Sequence, residues 1–142
     1  NQKMINSTFE QTDAKILSIK YSGDDPLEDA EFYSKCLKEN INNFDSGVIG
    51  LGDDGHIASL FPNTTGLNEN KKLFIANEVN IISKWRISST FKLLSSISNL
   101  YLLVTGDNKK EILNKAINGS GLPINKLLEI RDNTVIITDQ NI

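Results

Sequence analysis

The only histidine of the chain, His56, lies in a loop of glycines and aspartates that could support acid–base chemistry. The loop reads Gly50-Leu-Gly-Asp-Asp-Gly-His56. Because glycines let the backbone turn sharply, Asp54 could bend back across Gly55 to hold the imidazole. Such a partner fixes the tautomer of a histidine and raises its basicity. The spacing therefore indicates a general base, and the plainer alternative is a surface histidine beside two turn residues, Asp53 and Asp54.

The same loop matches the pattern G-x-G-x-x-G from Gly50 to Gly55, which binds dinucleotides where a strand passes into a helix. Two features argue against a dinucleotide site. Asp53 and Asp54 would meet the pyrophosphate with like charge, and Pro62 follows too soon for a long helix after the loop. We therefore interpret the loop as an acid–base site.

The elements that must position this loop alternate between strands and helices. Strand patterns occupy residues 46–51, 73–76, 85–90, 100–105 and 134–138. Helices are predicted from Asp24-Asp25-Pro26 to near Asn42, and over residues 91–98, 107–118 and 122–128. Asp107 or Asn108 is the predicted cap of the helix over residues 107–118. This order predicts an α/β fold, a mostly parallel open sheet with flanking helices, whose ligands bind beyond the carboxyl ends of the strands.

Composition restricts the class of protein further. The chain has 142 residues, of which 39% are hydrophobic and 23% charged, as expected for one soluble globular domain. No apolar run approaches the roughly 20 residues of a membrane span. Scattered basic residues and a net charge of −3 argue against nucleic acid as a partner. One histidine and one cysteine, Cys36, argue against a zinc site, and a cysteine with no internal disulfide partner indicates the cytoplasm.

Three segments resemble motifs of the 6-phosphogluconolactonases. Gly50-Leu-Gly-Asp-Asp-Gly-His-Ile-Ala-Ser-Leu-Phe-Pro62 resembles the signature of that family. Trp85-Arg-Ile-Ser-Ser-Thr90 resembles its R-I-[ST]-x-T strand, and Gly106-Asp-Asn-Lys109 resembles its G-x-x-K turn. The resemblance implies the Rossmann-like fold that these enzymes share with glucosamine-6-phosphate deaminases. It also implies hydrolysis of 6-phosphogluconolactone, a step of the oxidative pentose phosphate pathway, without a cofactor or a metal.

One position separates the lactonases from the deaminases. The deaminases resemble G-H-I-A-F-N-E-P after the loop, with a catalytic glutamate, and Phe61 stands at that position here. A phenyl ring cannot transfer a proton, so the resemblance favours the lactonase. A deaminase-like or isomerase-like activity is the alternative.

The resemblance also implies roles for individual residues. His56 would act as the general base and Asp54 would orient it, whereas Asp53 is interpreted as a turn residue. Backbone N–H groups that follow Gly52 or Gly55 are candidates to stabilise the oxyanion.

Arg86 and Lys109 are the implied ligands of the substrate phosphate, because guanidinium and ammonium groups both bind phosphate. Lys109 lies near the start of a predicted helix, where an anion is also favoured. The plainer alternatives are a solvated charge at a strand end for Arg86 and an ordinary exposed lysine for Lys109.

Members of the family usually have a longer N-terminal part, which holds a strand, a glycine-rich phosphate loop and a D-E-R segment. Asn1-Gln-Lys-Met4 resembles the stretch just after that segment. We therefore expect residues 1–142 to form a single α/β domain, the C-terminal part of a larger lactonase domain. The expected partners are a small phosphorylated sugar lactone and the N-terminal half or a second chain, with no nucleic acid or membrane. An inactive sugar-phosphate-binding fragment is a further alternative.

Overall fold

Strands of the described residues form two separate sheets. The computed structural model describes residues 2–81 and 83–141, so Asn1, Ile82 and Ile142 lie outside the described residues. The strands are β1 (Ser46–Gly50), β2 (Phe74–Ile81), β3 (Ser83–Ser89), β4 (Asn99–Val104) and β5 (Thr134–Thr138). Strands β1, β4 and β5 form a parallel sheet with β4 in the centre, and β2 pairs with β3 in antiparallel fashion.

Helices flank these strands. They are α1 (Gln2–Phe9), α2 (Pro26–Asn40), α3 (Phe91–Ser96), α4 (Lys110–Ile117) and α5 (Pro123–Glu129). The start of α2 is as predicted, because the Asp25 carboxylate accepts the N–H of Leu27 at 2.8 Å and Pro26 occupies the first turn. The parallel sheet with flanking helices is thus confirmed, and the antiparallel pair adds to it. None of the helices in the described ranges has both the length and the apolar character needed to cross a membrane.

The predicted cap of α4 is wrong. Neither Asp107 nor Asn108 caps that helix, because both lie in a 3₁₀ turn, Asp107–Lys109, that precedes Lys110. The N–H of Lys109 donates to the carbonyl of Gly106 at 2.9 Å and closes this turn. The turn uses the residues that were expected to begin the helix, and it places Lys109 in the connection between β4 and α4.

The core lies on one side of the parallel sheet. Leu100, Leu102 and Val104 alternate along β4 and are at most 1% exposed, as are Ile57 and Leu60 from the segment that follows the glycine loop. Loop and sheet therefore share one hydrophobic core, which stabilises the position of the loop at the carboxyl end of β1.

The other side of the parallel sheet carries exposed apolar side chains. Val48 of β1 and Leu103 of β4 are 68% and 44% exposed, and Val135 and Ile137 of β5 are 52% and 47% exposed. Strand pairing aligns Leu103 with Ile137, so these residues share a face. Parallel sheets are normally covered on both faces.

Candidate active site

The glycine loop turns back on itself directly after β1. The N–H of Gly52 donates to the carbonyl of His56 at 2.9 Å, and the N–H of Gly55 donates to the carbonyl of Gly52 at 3.0 Å. Gly55 has a φ of +81°, in the region that favours glycine. The carbonyl of Gly55 also accepts the N–H of Ile124 in α5 at 3.2 Å. These bonds hold the loop in a single tight conformation that presents His56 next to the strand end.

His56 and Asp54 form the pair that the sequence predicted. Nδ1 of His56 lies 2.6 Å from Oδ1 of Asp54, and the same oxygen accepts the backbone N–H of His56 at 3.1 Å. Partial burial raises the pKa of the Asp54 carboxyl, but the hydrogen bonds with the ring and backbone of His56 lower it by more, so that pKa lies below its ordinary value. In the tautomer in which Nδ1–H donates a hydrogen bond to this carboxylate, Nε2 is the ring nitrogen with a free lone pair.

Two neighbours confine the imidazole of His56. A Cβ built on Gly52 would lie 2.0 Å from Nδ1 of His56, so the ring occupies space that any other residue at position 52 would need. The phenyl ring of Phe61 packs against the imidazole with centroids 4.1 Å apart. The role of Gly52 is therefore steric as well as conformational.

The second strand end contributes Lys109. Its Nζ donates to the carbonyl of Leu51 at 2.9 Å and to Oδ1 of Asp53 at 2.5 Å. Asp53, His56 and Lys109 line one open cleft of about 630 Å³ that runs along β1 and past its carboxyl end. This is the edge at which open α/β sheets bind their ligands.

The residue that follows β5 binds the turn that carries Lys109. Both carboxylate oxygens of Asp139, just after β5, accept the N–H of Gly106, at 3.1 and 3.0 Å. Hydrogen bonds from the Gln140 side chain and from Gly106 lower the pKa of the Asp139 carboxyl. Asp139 was not predicted from the sequence, where it follows an ordinary strand.

Arg86 belongs to the antiparallel pair of strands and not to the parallel sheet. It is on β3 opposite Asn77 of β2, and its Nε is buried without a hydrogen-bond partner among the described residues. Strand β3 contributes Ser89 to the cleft of His56 and Lys109, and Arg86 is not one of the residues that line this cleft. The structure thus brings His56, Asp54 and Lys109 together without Arg86, and the roles of all four residues stay predictions.

The oxyanion candidates divide in a similar way. The N–H groups of Gly52 and Gly55 are used within the loop, and the N–H of His56, which follows Gly55, donates to Asp54. Within the described residues, the N–H of Asp53, which follows Gly52, donates to no backbone carbonyl. This N–H therefore stays the candidate donor to an oxyanion.

A buried polar network anchors the segment after His56, and sequence reasoning missed it. The carbonyl of Ser59 accepts a hydrogen bond from Nδ2 of Asn77 at 2.7 Å. The backbone N–H of Ser59 donates to Oγ of Ser88 at 3.0 Å. Asn77 also donates to Oγ1 of Thr64 at 3.0 Å, and Thr64 in turn donates to the carbonyl of Phe61 at 2.8 Å. Asn77 and Ser88 are at most 2% exposed. The available signals were an asparagine directly after the predicted strand 73–76 and the serine of the Arg86 motif.

The parallel sheet and the histidine–aspartate pair beyond its strand ends define an open α/β protein with a candidate site at the carboxyl edge. A family model described as glucosamine-6-phosphate isomerases/6-phosphogluconolactonase matches residues 1–136. The chain belongs to this family. No group of three or more histidine, cysteine, aspartate or glutamate side chains that could hold a metal ion occurs in the described part of the chain.

Individual relatives agree with this assignment. The chain is 32% identical over 99 residues to a 6-phosphogluconolactonase of Chlamydia trachomatis, which covers 68% of this chain and 38% of that protein. It is 30% identical over 127 residues to a 6-phosphogluconolactonase of Helicobacter pylori, covering 87% of this chain and 54% of that protein. A solved 6-phosphogluconolactonase structure from Shewanella baltica has the same fold, with a TM-score of 0.85 at 22% identity over 97% of this chain and 63% of that one.

Proposed function

We propose that the chain carries the histidine-bearing part of a 6-phosphogluconolactonase. The observation that carries this proposal is the 2.6 Å contact between Nδ1 of His56 and Asp54, which leaves Nε2 as a base at the carboxyl edge of the sheet. Relatives that are at least 30% identical bear the name of this activity. The chain spans only about a third to a half of their length, so the rest of the site would come from the N-terminal part or from a second chain.

The reaction requires one base that becomes an acid. Nε2 of His56 takes a proton from water as the water oxygen bonds to the lactone carbonyl carbon. The N–H of Asp53 donates to the oxyanion of the tetrahedral intermediate. When the bond between that carbon and the ring oxygen breaks, His56 returns the proton to the ring oxygen, and the product is 6-phosphogluconate. Asp54 stabilises the imidazolium that exists between these steps.

The substrate phosphate is assigned to Lys109, with Arg86 as a second ligand. Lys109 supports this role by its position, because its ammonium group lines the same cleft as His56. Arg86 supports it only through its motif and its buried, unpartnered Nε. Substitution of each residue by methionine tests the two assignments separately. Loss of a phosphate ligand raises the KM for the lactone much more than it lowers kcat.

Phe61 supports lactone hydrolysis over deamination. The position that carries a catalytic glutamate in the related deaminases holds a phenyl ring here, and this ring packs against His56. Deamination of glucosamine 6-phosphate would need a carboxylate that this position does not supply.

The decisive experiment measures loss of 6-phosphogluconolactone above its spontaneous hydrolysis. We expect His56→Ala to lower the enzymatic rate by about 10²–10⁴-fold. Equal rates for His56→Ala and the wild-type protein would exclude His56 as the base. Release of ammonia from glucosamine 6-phosphate would instead establish the deaminase, and binding of 6-phosphogluconate without any turnover would establish a binding fragment.

The unpaired cysteine, Cys36, fits a cytoplasmic location, which fractionation of the source cells tests.

A further inference from the structure

Asp53 contacts the ammonium group that the proposed function assigns to the substrate phosphate. Nζ of Lys109 has three N–H donors. One is directed to the carbonyl of Leu51 and one to the carboxylate of Asp53. Only one donor therefore remains for a ligand as long as both contacts persist.

The two acceptors of Lys109 differ in how firmly they are held. Leu51 is 5% exposed and belongs to the hydrophobic core, so its carbonyl cannot leave. The side chain of Asp53 is 75% exposed, whereas that of Lys109 is 21% exposed. Asp53 can rotate into solvent at small cost, and the carbonyl of Leu51 then keeps Lys109 in place.

We propose that Asp53 is an exchangeable counterion of Lys109, which the phosphate group of the ligand displaces when it binds. This inference rests on the proposed phosphate-binding role of Lys109. A phosphate monoester near neutral pH carries up to two negative charges and several acceptor oxygens. The phosphate replaces the contact between the Asp53 carboxylate and Nζ of Lys109. The negative charge of Asp53 remains close to the bound phosphate and repels it. Asp53 therefore lowers the affinity of the site for phosphate and favours ligands that carry the full charge of a phosphate ester.

A positioning role for Asp53 predicts the opposite effect. If the carboxylate were needed to hold Lys109 in place, its removal would weaken binding of the phosphate. The contact with the buried carbonyl of Leu51 argues against this, because it fixes the ammonium group without any help from Asp53. The sign of the affinity change thus decides between the two roles.

The test is calorimetric titration of the protein with 6-phosphogluconate, with gluconate as the probe that lacks the phosphate. We expect Asp53→Asn to bind 6-phosphogluconate about two- to fivefold more tightly than wild type at low salt, the range expected of one exposed charge pair. The gain shrinks at high salt, because salt screens exposed charges. Gluconate binding stays the same. Asp132→Asn removes the same charge from an exposed turn ahead of β5, at the opposite end of the sheet, and is the matched control.

Lys109→Met distinguishes failure of this inference from failure of the proposed function. If Lys109→Met weakens binding of 6-phosphogluconate while Asp53→Asn leaves it equal or weaker, the counterion role is wrong and the phosphate site stands. If Lys109→Met leaves binding unchanged, or the wild-type protein shows no phosphate-dependent binding, both are wrong. In the Lys109→Met background, Asp53→Asn gives no gain, because no ammonium group remains to be released.

Discussion

The phenyl ring of Phe61 packs against the imidazole of His56, with ring centroids 4.1 Å apart and planes inclined by 30°. This contact restricts rotation of the proposed base and shields one side of it from water. Phe61 is itself held through its carbonyl, which accepts Oγ1 of Thr64. The residue on which the proposal of a lactonase over a deaminase rests is therefore also a structural neighbour of the histidine.

Replacement of Phe61 by leucine should lower kcat for the lactone with little change in KM. An aromatic pair contributes about 0.5–1.5 kcal/mol beyond its buried area, which corresponds to about a two- to tenfold loss if all of it orients His56. Phe61→Tyr keeps the ring and should restore most of the rate. The measurement is steady-state kinetics of both variants, together with thermal melts. Equal kcat for the leucine variant and wild type would show that the ring contact does not orient the base.

Gly52 and Gly50 offer a matched pair of substitutions by alanine. The new Cβ at position 52 would lie 2.0 Å from Nδ1 of His56, whereas a Cβ at position 50 meets nothing within 4 Å. We expect Gly52→Ala to displace the ring and to lower kcat/KM by about 100-fold, the usual cost of moving a catalytic group by about 1 Å. Gly50→Ala should have a much smaller effect.

The same kinetic assay and a melting curve check both glycine variants. A loss of rate in Gly52→Ala with a nearly unchanged melting temperature indicates a local displacement of His56. Similar losses in both variants would mean that the methyl group acts through the strand end and not through the histidine.

The sequence predicted those parts of the site that are close along the chain. Asp54 and His56 are two residues apart, and the glycines between and before them allow one local turn, so spacing indicated their pairing, with a surface histidine beside turn residues as the alternative. The strands were recognised because the apolar runs of β1, β4 and β5 end at glycine or polar residues. The positive φ of Gly55 agrees with the same local reasoning.

Contacts between distant segments could not be predicted in this way. The pair of Asp53 and Lys109 depends on β4 being the neighbour of β1, which the order of elements does not specify. Asn77 reaches the segment after His56 only because the antiparallel pair of β2 and β3 packs beside the loop, and nothing in a strand pattern indicates its pairing partner. Arg86 shows the reverse case, since its motif predicted a role that its place on β3 does not by itself support.

Asp54 makes the stability of the protein depend on pH in a defined direction. Although burial opposes it, the contacts with His56 lower the pKa of the Asp54 carboxyl in the folded protein. A lowered pKa stabilises the folded state above the ordinary pKa of aspartate, and this contribution is lost as the pH falls through the lowered value. We therefore expect Asp54→Asn to destabilise the protein at neutral pH and to have no such effect in strong acid.

Denaturant unfolding of wild type and Asp54→Asn across that pH range measures the effect. The difference between the two free energies of unfolding should decrease as the pH falls below the ordinary range of aspartate. A difference that is constant with pH would show that the carboxylate does not interact with His56 in the folded protein. The lactonase rate of the same variant at neutral pH reports separately on its orienting role.

The exposed apolar face of the parallel sheet should make these 142 residues associate when they are expressed alone. Val48, Leu103, Val135 and Ile137 share that face and are between 44% and 68% exposed. Contiguous apolar patches of this kind promote association. We expect light scattering to show oligomers or aggregates, and the double substitution of Val135 and Ile137 by threonine to raise the monomer fraction. Met4→Gln, which removes an exposed apolar side chain from α1, is the control. A wild-type monomer with a cooperative melt would contradict this prediction.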